Sequence, residues 1–308
     1  MGGALKKNRI NTTVDIGGLT LKNPVMTASG TFGYGLEFEE YLDLNRLGAI
    51  IVKGLAIKPV KGNKPQRLVE TTAGLLNAIG LQNIGVEAFL ADKMPLLSKY
   101  NTPVIANIYG TDVSEYVSAA SRLNDSEVAG VEINISCPNV KKGGLQFAAD
   151  KPAIAALIQG VKKVFGRHVM VKLSPNTGNI EEIAVLCESE GADSVSLINT
   201  LVGMAIDTKK RKPVLSNIYG GLSGPAIKPV ALAMVHKVSK NIRIPVIGIG
   251  GIMNAQDAIE FIMAGAKAVQ VGTASFRDPA AAQAVAEGID KYLAENSVQN
   301  ISGITGCI

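Results

Sequence analysis

Eight apolar runs bounded by turn residues alternate with eight helical patterns along the chain, and this alternation constrains the fold more than any other feature. The runs lie at residues 24–30, 49–55, 103–110, 130–137, 168–175, 194–200, 244–251 and 268–274. The helical patterns cover residues 37–47, 85–98, 113–123, 151–165, 180–190, 226–239, 254–264 and 279–294. Continuous apolar runs predict strands buried on both faces, as in a parallel sheet whose strands are joined by crossover helices. We therefore predict an α/β fold, a (β/α)8 TIM barrel.

Composition agrees with a large buried sheet. Of the 308 residues, 47% are hydrophobic and only 5% are aromatic, and 33 are glycines that can serve the turns. No shift in composition divides the chain, so we expect one domain over residues 1–308. The net charge of +5 comes from scattered basic residues without interleaved aromatics, which argues against nucleic-acid binding.

The chain shows no membrane or export signal. No apolar run approaches the roughly 20 residues that cross a bilayer, and the start "MGGALKKNRI" has no apolar stretch of the signal-peptide kind. We expect a cytoplasmic protein that does not associate with membranes.

Three segments fall outside the regular alternation. Residues 12–23 alternate apolar and polar side chains around Gly17 and Gly18, which predicts a hairpin at the bottom of the barrel. The strand-to-helix connections at 56–84 and 201–224 are unusually long. Because such connections lie at the C-terminal face of a barrel, where barrel enzymes place their chemistry, we expect these two to cover a ligand.

Polar residues collect where the predicted strands end. They are Ser29, Lys53, Asn107, Asn134, Cys137, Lys172, Ser174, Asn199 and Thr200. A single residue of this kind is usually a satisfied polar cap, but the carboxyl ends of all barrel strands meet at one face. The sequence therefore predicts a ligand site there.

Glycines replace polar side chains after the last two predicted strands, in "GIGGI" (248–252) and "VGTA" (271–274). Gly250, Gly251 and Gly272 can let backbone N–H groups approach an anion, which is the usual phosphate cradle of barrel enzymes. The alternative is simple turn geometry. The pairing of both loops favours a phosphorylated ligand.

The thiol of Cys137 is the candidate base. Pro138 ends the preceding strand, so the thiol lies at the barrel mouth. The two histidines, His168 at the start of a strand and His236 in a helix, lie away from that mouth. A thiol has a pKa of ~8.5 and can act as a base where positive charge favours the thiolate. The cysteines at 137, 187 and 307 have no metal-ligand spacing, and we predict no metal site and a buried, inert Cys187.

Several motifs, in order along nearly the whole chain, resemble the dihydroorotate dehydrogenases. They are "NAIGLQN" (77–83), "NISCPN" (134–139), "VKL" around Lys172, "INT" (198–200), "GLSG" (221–224), "IGIGG" (247–251) and "VGTA" (271–274). The resemblance implies FMN as cofactor and oxidation of dihydroorotate to orotate in de novo pyrimidine biosynthesis. Members of class 1 use a cysteine base, which Cys137 matches.

Within class 1 the motifs "NAIGLQN" and "MTASGTFGYG" are closer to class 1B than to class 1A. Class 1B implies electron transfer to NAD through a second subunit that carries FAD and a 2Fe-2S cluster. It also implies a homodimer core that this iron-sulfur flavoprotein completes to a heterotetramer. Three separated cysteines cannot supply the four ligands of such a cluster, so we expect the cluster on a separate chain.

The resemblance assigns site residues position by position. Flavin contacts are implied for Ser29, Lys53, Gly54, Asn107, Asn134, Lys172, Ile198, Gly224, Gly250, Gly251, Gly272 and Thr273. Substrate contacts are implied for Lys53, Asn77, Ala78, Ile79, Gly80, Leu81, Asn134, Asn139, Asn199 and Thr200. Cys137 would remove a proton from the substrate ring while a hydride passes to the flavin, with residues 138–150 as a lid. Lys172 would stabilise negative charge on the reduced flavin.

Three alternatives stay open. A class 1A enzyme would perform the same oxidation with fumarate as oxidant. Another flavin barrel would act on a different pyrimidine. A barrel that only binds a phosphorylated ligand would keep "GIGG" and "VGTA" but would not need Cys137.

Overall fold

The computed structural model describes residues 10–135 and 150–308. Its strands, in chain order, are β1 (Val14–Asp15), β2 (Thr20–Leu21), β3 (Val25–Thr27), β4 (Ile50–Leu55), β5 (Leu68–Thr71), β6 (Gly74–Asn77), β7 (Val104–Ile108), β8 (Gly130–Asn134), β9 (His168–Lys172), β10 (Ser194–Leu197), β11 (Leu201–Met204), β12 (Ile206–Asp207), β13 (Lys212–Pro213), β14 (Tyr219–Ser223), β15 (Val246–Ile249) and β16 (Ala268–Val271). The α-helices are α1 (Val86–Ala88), α2 (Met94–Leu97), α3 (Val113–Asn124), α4 (Lys151–Val164), α5 (Ile180–Ser189), α6 (Lys228–Ser239), α7 (Ala255–Met263) and α8 (Ala281–Glu295).

Eight parallel strands form one sheet, in the order β3-β16-β15-β10-β9-β8-β7-β4. The two ends of this order meet, because Gly48 N donates to Val25 O at 2.8 Å and Met26 bridges Ala49 in parallel. The Thr27 hydroxyl strengthens the closure by accepting a hydrogen bond from Ile51 N at 2.8 Å. Each strand therefore pairs with its neighbours in the alternation, and the predicted (β/α)8 barrel is confirmed.

Capping residues fix where the outer helices begin. The side chains of Asp112, Asp150 and Asn179 accept hydrogen bonds from the first turns of α3, α4 and α5. Asn254 forms a capping box with Asp257 at the start of α7. Such side chains satisfy backbone donors that no helical carbonyl can reach. The helices predicted at 113–123, 151–165, 180–190, 226–239, 254–264 and 279–294 are all present.

The helix predicted at 37–47 is wrong. The chain forms two short 3-10 helices there, Leu36–Phe38 and Leu44–Arg46. Asp43 between them is extended, and its carboxylate accepts a hydrogen bond from Asn45 N at 2.9 Å. This local bond competes with a continuous helix. The apolar spacing that suggested a helix reflects buried anchors instead, such as Leu42 and Leu47.

The helix predicted at 85–98 is broken into α1 and α2 by a π-helical stretch, Phe89–Lys93. Pro95, in the first turn of α2, has no N–H to donate to the preceding turn. The regular hydrogen-bond spacing therefore cannot run unchanged through this segment.

The two long connections meet above the barrel as a four-stranded antiparallel sheet, ordered β11-β14-β6-β5, which we call the mouth sheet. Strands β5 and β6 come from the first connection and β11 and β14 from the second. They join where Asn77 pairs with Gly221 and Leu76 with Leu222. The expectation that both connections lie on the C-terminal face is thus met by one shared structure.

The predicted hairpin forms from β1 and β2 and packs on the opposite end of the barrel. Gly17 has a φ of +102°, and a Cβ there would lie 2.1 Å from Asp193 O. Gly17 O also lies 3.2 Å from His168 Nδ1, at the start of β9. His168 is therefore far from the mouth, as its position in the sequence predicted.

Cys187 is fully buried in α5, as predicted, and burial raises the pKa of its thiol to about 12. In residues 10–135 and 150–308, no helix combines the length and apolar character required to cross a membrane.

Candidate functional site

A cavity of about 400 Å³ lies between the carboxyl ends of the barrel strands and the mouth sheet. Its walls contain every residue predicted to contact the cofactor: Ser29, Lys53, Gly54, Asn107, Asn134, Lys172, Ile198, Gly224, Gly250, Gly251, Gly272 and Thr273. Of the predicted substrate contacts, they also contain Asn77, Ile79, Gly80, Leu81, Asn199 and Thr200. The structure thus brings both sets together in one place.

Of the predicted site residues within the described ranges, Ala78 is not in these walls. The side chain of Ala78 is fully buried in a small cluster with Leu76 and Leu215. Its backbone is also occupied, because Ala78 N donates to Arg67 O at 2.8 Å. Cys137 and Asn139 lie outside the described residues, together with most of the predicted lid.

One side of the cavity is made of glycine backbone. Gly251 has a φ of +75°, and a Cβ there would lie 2.8 Å from Gly224 O. Gly250 has a φ of +129°, and its Cβ would lie 2.8 Å from the side chain of Ala231. Side chains are excluded at both positions, so the cavity wall is bare backbone. This arrangement suits a phosphate group, which binds to exposed N–H groups.

Another part of the wall carries two cations, Lys53 and Arg67. The Lys53 ammonium makes no hydrogen bond or ion pair within the described ranges. Burial, and to a lesser degree the Arg67 charge, lowers the pKa of Lys53, while Glu37 opposes this shift. Arg67 is held in place by Gln82 Oε1, to which it donates at 2.7 Å. A half-buried cation that has no hydrogen-bond or ion-pair partner among the described residues is suited to an anionic ligand.

Arg67 was not predicted from the sequence. It lies in the first long connection, just before β5, in a segment that is rich in turn residues and has several other cations. The only signal that could have found it was the expectation that this connection covers a ligand. Nothing local separates Arg67 from Lys58, Lys61 or Lys64.

A third cation, Lys172, ends β9 and is 5% exposed. Its ammonium donates to Ser29 Oγ at 3.2 Å, and it lies 3.8 Å from Glu132 Oε1. Glu132 is fully buried in β8, and it too was not predicted from the sequence. A glutamate inside the apolar run "GVEINI" was the available signal, because a buried charge needs partners.

Asn107 lies one residue before the end of β7, near these groups. Its amide Nδ2 donates to Glu132 Oε1 at 2.6 Å. Its Oδ1 is buried and accepts no hydrogen bond from the described residues. The absence of a side chain at Gly54 leaves room for this oxygen, since a Cβ there would lie 2.9 Å from it. An unpaired acceptor in a cavity wall fits a ligand with an N–H group.

The loop that carries the predicted substrate contacts is anchored by Asn83 and Tyr109. Asn83 Oδ1 accepts hydrogen bonds from Gly85 N at 2.8 Å and Ala56 N at 3.2 Å. Asn83 Nδ2 and the Tyr109 hydroxyl both donate to Leu81 O, at 2.9 and 2.8 Å. Asn83 therefore belongs to the framework of the loop, although it ends the "NAIGLQN" motif.

Asn134 and Asn199 face each other across the barrel mouth, with Asn199 Nδ2 donating to Asn134 Oδ1 at 3.4 Å. The Tyr116 hydroxyl donates to Asn134 O at 2.8 Å and so fixes the end of β8. Asn134 lies three residues before Cys137 in the sequence.

Comparisons with known proteins agree on one family. A family model described as dihydroorotate dehydrogenase matches residues 11–293. A protein of Geotalea uraniireducens is 56% identical over 297 residues, covering 96% of this chain and 97% of that protein. One of Trichlorobacter lovleyi is also 56% identical, covering 96% of this chain and 98% of that protein. Both carry the name dihydroorotate dehydrogenase B (NAD(+)), catalytic subunit.

A solved structure supports the fold. DHODH from Eimeria tenella, in complex with ferulenol, matches with a TM-score of 0.79 at 20% identity and covers 100% of this chain and 91% of that chain. The family prediction is confirmed, and the relatives carry the NAD-linked name that the motifs favoured. This chain belongs to the dihydroorotate dehydrogenase family.

Proposed function

We propose that this chain is the FMN-containing catalytic subunit of an NAD-linked enzyme that oxidises dihydroorotate to orotate in de novo pyrimidine biosynthesis. One observation carries the proposal. A single cavity at the barrel mouth joins a bare glycine wall, which suits a phosphate, to Lys53 and Asn107 Oδ1, which have no partner among the described residues and suit an anionic planar ring. Membership of the dihydroorotate dehydrogenase family supports the same function.

The residues present fit FMN. Gly224, Gly250, Gly251 and Gly272 would admit its phosphate, and the Thr273 hydroxyl lies beside them, where it donates to Ser223 Oγ at 2.9 Å. The unpaired Asn107 Oδ1 would accept a ligand N–H. Lys172 would offset negative charge. When bound, FMN supplies the acceptor for the two electrons removed from the substrate.

The substrate would occupy the part of the cavity nearest the mouth sheet. Lys53 and Arg67 would bind its carboxylate, because both cations line the cavity and Lys53 has no hydrogen-bond or ion-pair partner within the described residues. Asn77, Asn134, Asn199 and Thr200 would pair with the edges of the ring. This arrangement would hold the substrate in one orientation.

Cys137 would remove the proton from the substrate carbon next to the ring carbonyl. The residue lies outside the described ranges, so its role rests on the motif "NISCPN" and on its neighbour Asn134. Cations at the cavity wall would favour the thiolate that this step requires.

Electrons would leave through a partner. The relatives are named as catalytic subunits, which implies a further subunit for them. We propose that residues 1–308 form one FMN-binding barrel, paired in a homodimer, and that an iron-sulfur flavoprotein with FAD and a 2Fe-2S cluster completes a heterotetramer. The expected cytoplasmic location stays a prediction.

A steady-state assay with two oxidants tests the proposal. The purified chain should show the absorption of oxidised FMN and reduce artificial acceptors with dihydroorotate. NAD reduction should appear only when the partner subunit is added. Fast turnover with fumarate alone would favour the class 1A alternative, and a chain that binds phosphate compounds but no flavin would favour the binding-only barrel.

A further inference from the structure

Glu132 lies at the centre of a polar cluster inside the barrel. Its carboxylate accepts hydrogen bonds from Asn107 Nδ2 at 2.6 Å, Gln270 Nε2 at 2.7 Å and Ser196 Oγ at 2.8 Å. Lys172 adds its charge at 3.8 Å. Side chains from β7, β9, β10 and β16 thus converge on one residue of β8. Burying a carboxylate is strongly unfavourable unless it is paired and hydrogen-bonded, which explains this concentration of donors.

The cluster fixes the direction of two amides. An ionised carboxylate only accepts hydrogen bonds, so Asn107 and Gln270 must both turn their NH₂ groups toward Glu132. Their oxygens then point away, and Asn107 Oδ1 and Gln270 Oε1 are both buried without a donor among the described residues. Leaving a buried acceptor unpaired is unfavourable, because the oxygen loses its hydrogen bonds to water. Stability alone would not favour this arrangement.

Only one of these two oxygens belongs to a residue of the cavity wall, that of Asn107. Lys172 belongs to the same wall, and its ammonium lies between Glu132 and Ser29 Oγ. Glu132 itself is fully buried and is not part of the wall. Its links to the cavity wall are Asn107, whose oxygen it leaves as an acceptor, and Lys172, whose charge it partly offsets.

We propose that Glu132 is a positioning residue that sets the redox potential of the bound flavin. This inference rests on the proposed FMN site. Reduction of FMN by two electrons with uptake of one proton adds one negative charge to the ligand, which Lys172 favours. The carboxylate behind Lys172 opposes this added charge and holds the potential down. Because Glu132 accepts a hydrogen bond from Asn107 Nδ2, it also leaves Asn107 Oδ1 as the atom that would contact the flavin.

The test is a redox titration of the FMN-loaded wild type, Glu132→Gln and Ser196→Ala. Ser196→Ala is the matched control, because it removes a hydrogen bond to the same carboxylate and keeps the charge. Glu132→Gln should raise the midpoint potential by about 30 mV, a tenfold change in the equilibrium constant for two-electron reduction. Ser196→Ala should stay within a few millivolts of the wild type, because the charge on Glu132 is kept.

Equal potentials in Glu132→Gln and Ser196→Ala would overturn the inference while leaving the flavin site intact. A wild-type chain that binds no FMN would overturn the proposed function and this inference with it. A flavin-free comparison covers the case in which Glu132→Gln does not fold. Lys172→Met leaves the buried Glu132 carboxylate without its ion-pair partner, so the double variant Lys172→Met/Glu132→Gln should unfold at a higher temperature than Lys172→Met alone. No gain would contradict the pairing.

Discussion

Polar groups at the two ends of the barrel differ in whether they have hydrogen-bond or ion-pair partners within the described residues. At the bottom, both ring nitrogens of His168 are satisfied, with Nε2 2.9 Å from Ser194 Oγ and Nδ1 3.2 Å from Gly17 O. Asp193 there pairs with Lys162 at 2.9 Å. At the mouth, Lys53 has no partner and Asn107 Oδ1 has no donor among the described residues. These polar groups at the bottom are paired within the protein, whereas Lys53 and Asn107 Oδ1 are the groups that we propose a ligand pairs with at the mouth.

The largest expected effect lies at the mouth. Cys137→Ala should retain fold and flavin but lose ~10²–10⁴-fold in turnover, because a positioned base contributes about that much. Steady-state oxidation of dihydroorotate measures the loss. Cys137→Ser is the matched variant and should keep a trace of activity that increases at high pH. Wild-type turnover in the alanine variant would exclude Cys137 as the base.

Removing the Lys53 cation should affect ligand binding more than protein stability. Lys53→Met should raise the KM for dihydroorotate by roughly 10–100-fold, since a hydrogen bond to a charged group is worth about 1.5–3 kcal/mol. Its melting temperature should not fall, because Lys53 has no ion pair to lose among the described residues. An unchanged KM would remove Lys53 from the substrate site.

The contribution of His168, at the bottom of the barrel, to protein stability should depend on pH. Burial lowers the pKa of His168, so folding favours its neutral ring. Its contribution to stability is therefore complete above the unfolded pKa of about 6.5 and is lost as pH falls through the lower folded value. Urea unfolding between pH 7.5 and pH 5 should show this decline, and His168→Gln should weaken it.

Asp15, in the hairpin whose Gly17 O lies near His168, should affect stability only at lower pH. Hydrogen bonds from Gly18 N and Gly17 N lower its pKa, so its contribution is lost only as pH falls below about 3.9. A decline in Asp15→Asn that matches the wild type between pH 7.5 and pH 5 would assign this window to His168. A decline that is unchanged in His168→Gln would contradict the assignment.

The smallest effect is expected for a paired cation at the bottom. Lys162→Met removes the ion pair with Asp193. The Lys162 and Asp193 side chains are 33% and 27% exposed, so the loss should lower the free energy of unfolding by at most about 1 kcal/mol. The KM for dihydroorotate should not change. An effect on KM as large as that of Lys53→Met would mean that charge anywhere on the barrel affects binding, and the contrast between the ends would fail.

The barrel itself could be predicted because its signals are local. Each buried strand and each capped helix is encoded in neighbouring residues, and the alternation "VIANI" and "VSEYVSAASRLN" is typical of a strand and its crossover helix. The glycines and Lys172 followed from the rule that barrel chemistry lies at strand ends. The helix predicted at 37–47 failed because apolar spacing cannot reveal a competing side-chain bond at Asp43.

What could not be predicted depends on distant pairing. Asn77 and Gly221 pair although they lie 144 positions apart in the sequence. No local sequence pattern predicts the mouth sheet. Arg67 enters the cavity wall only because that sheet forms. Glu132 could be seen as unusual in its strand, but its partners come from β7, β9, β10 and β16, which only the closed barrel brings together.

Anaerobic mixing of the purified, FMN-loaded chain with dihydroorotate tests the central claim most directly, because it needs no partner subunit and no external oxidant. The account predicts that one equivalent of dihydroorotate bleaches the absorption of the oxidised flavin and that one equivalent of orotate is formed. Flavin that stays oxidised in excess dihydroorotate, in a chain that is folded and fully loaded, would contradict the assignment of the cavity at the barrel mouth as a dihydroorotate-oxidising site.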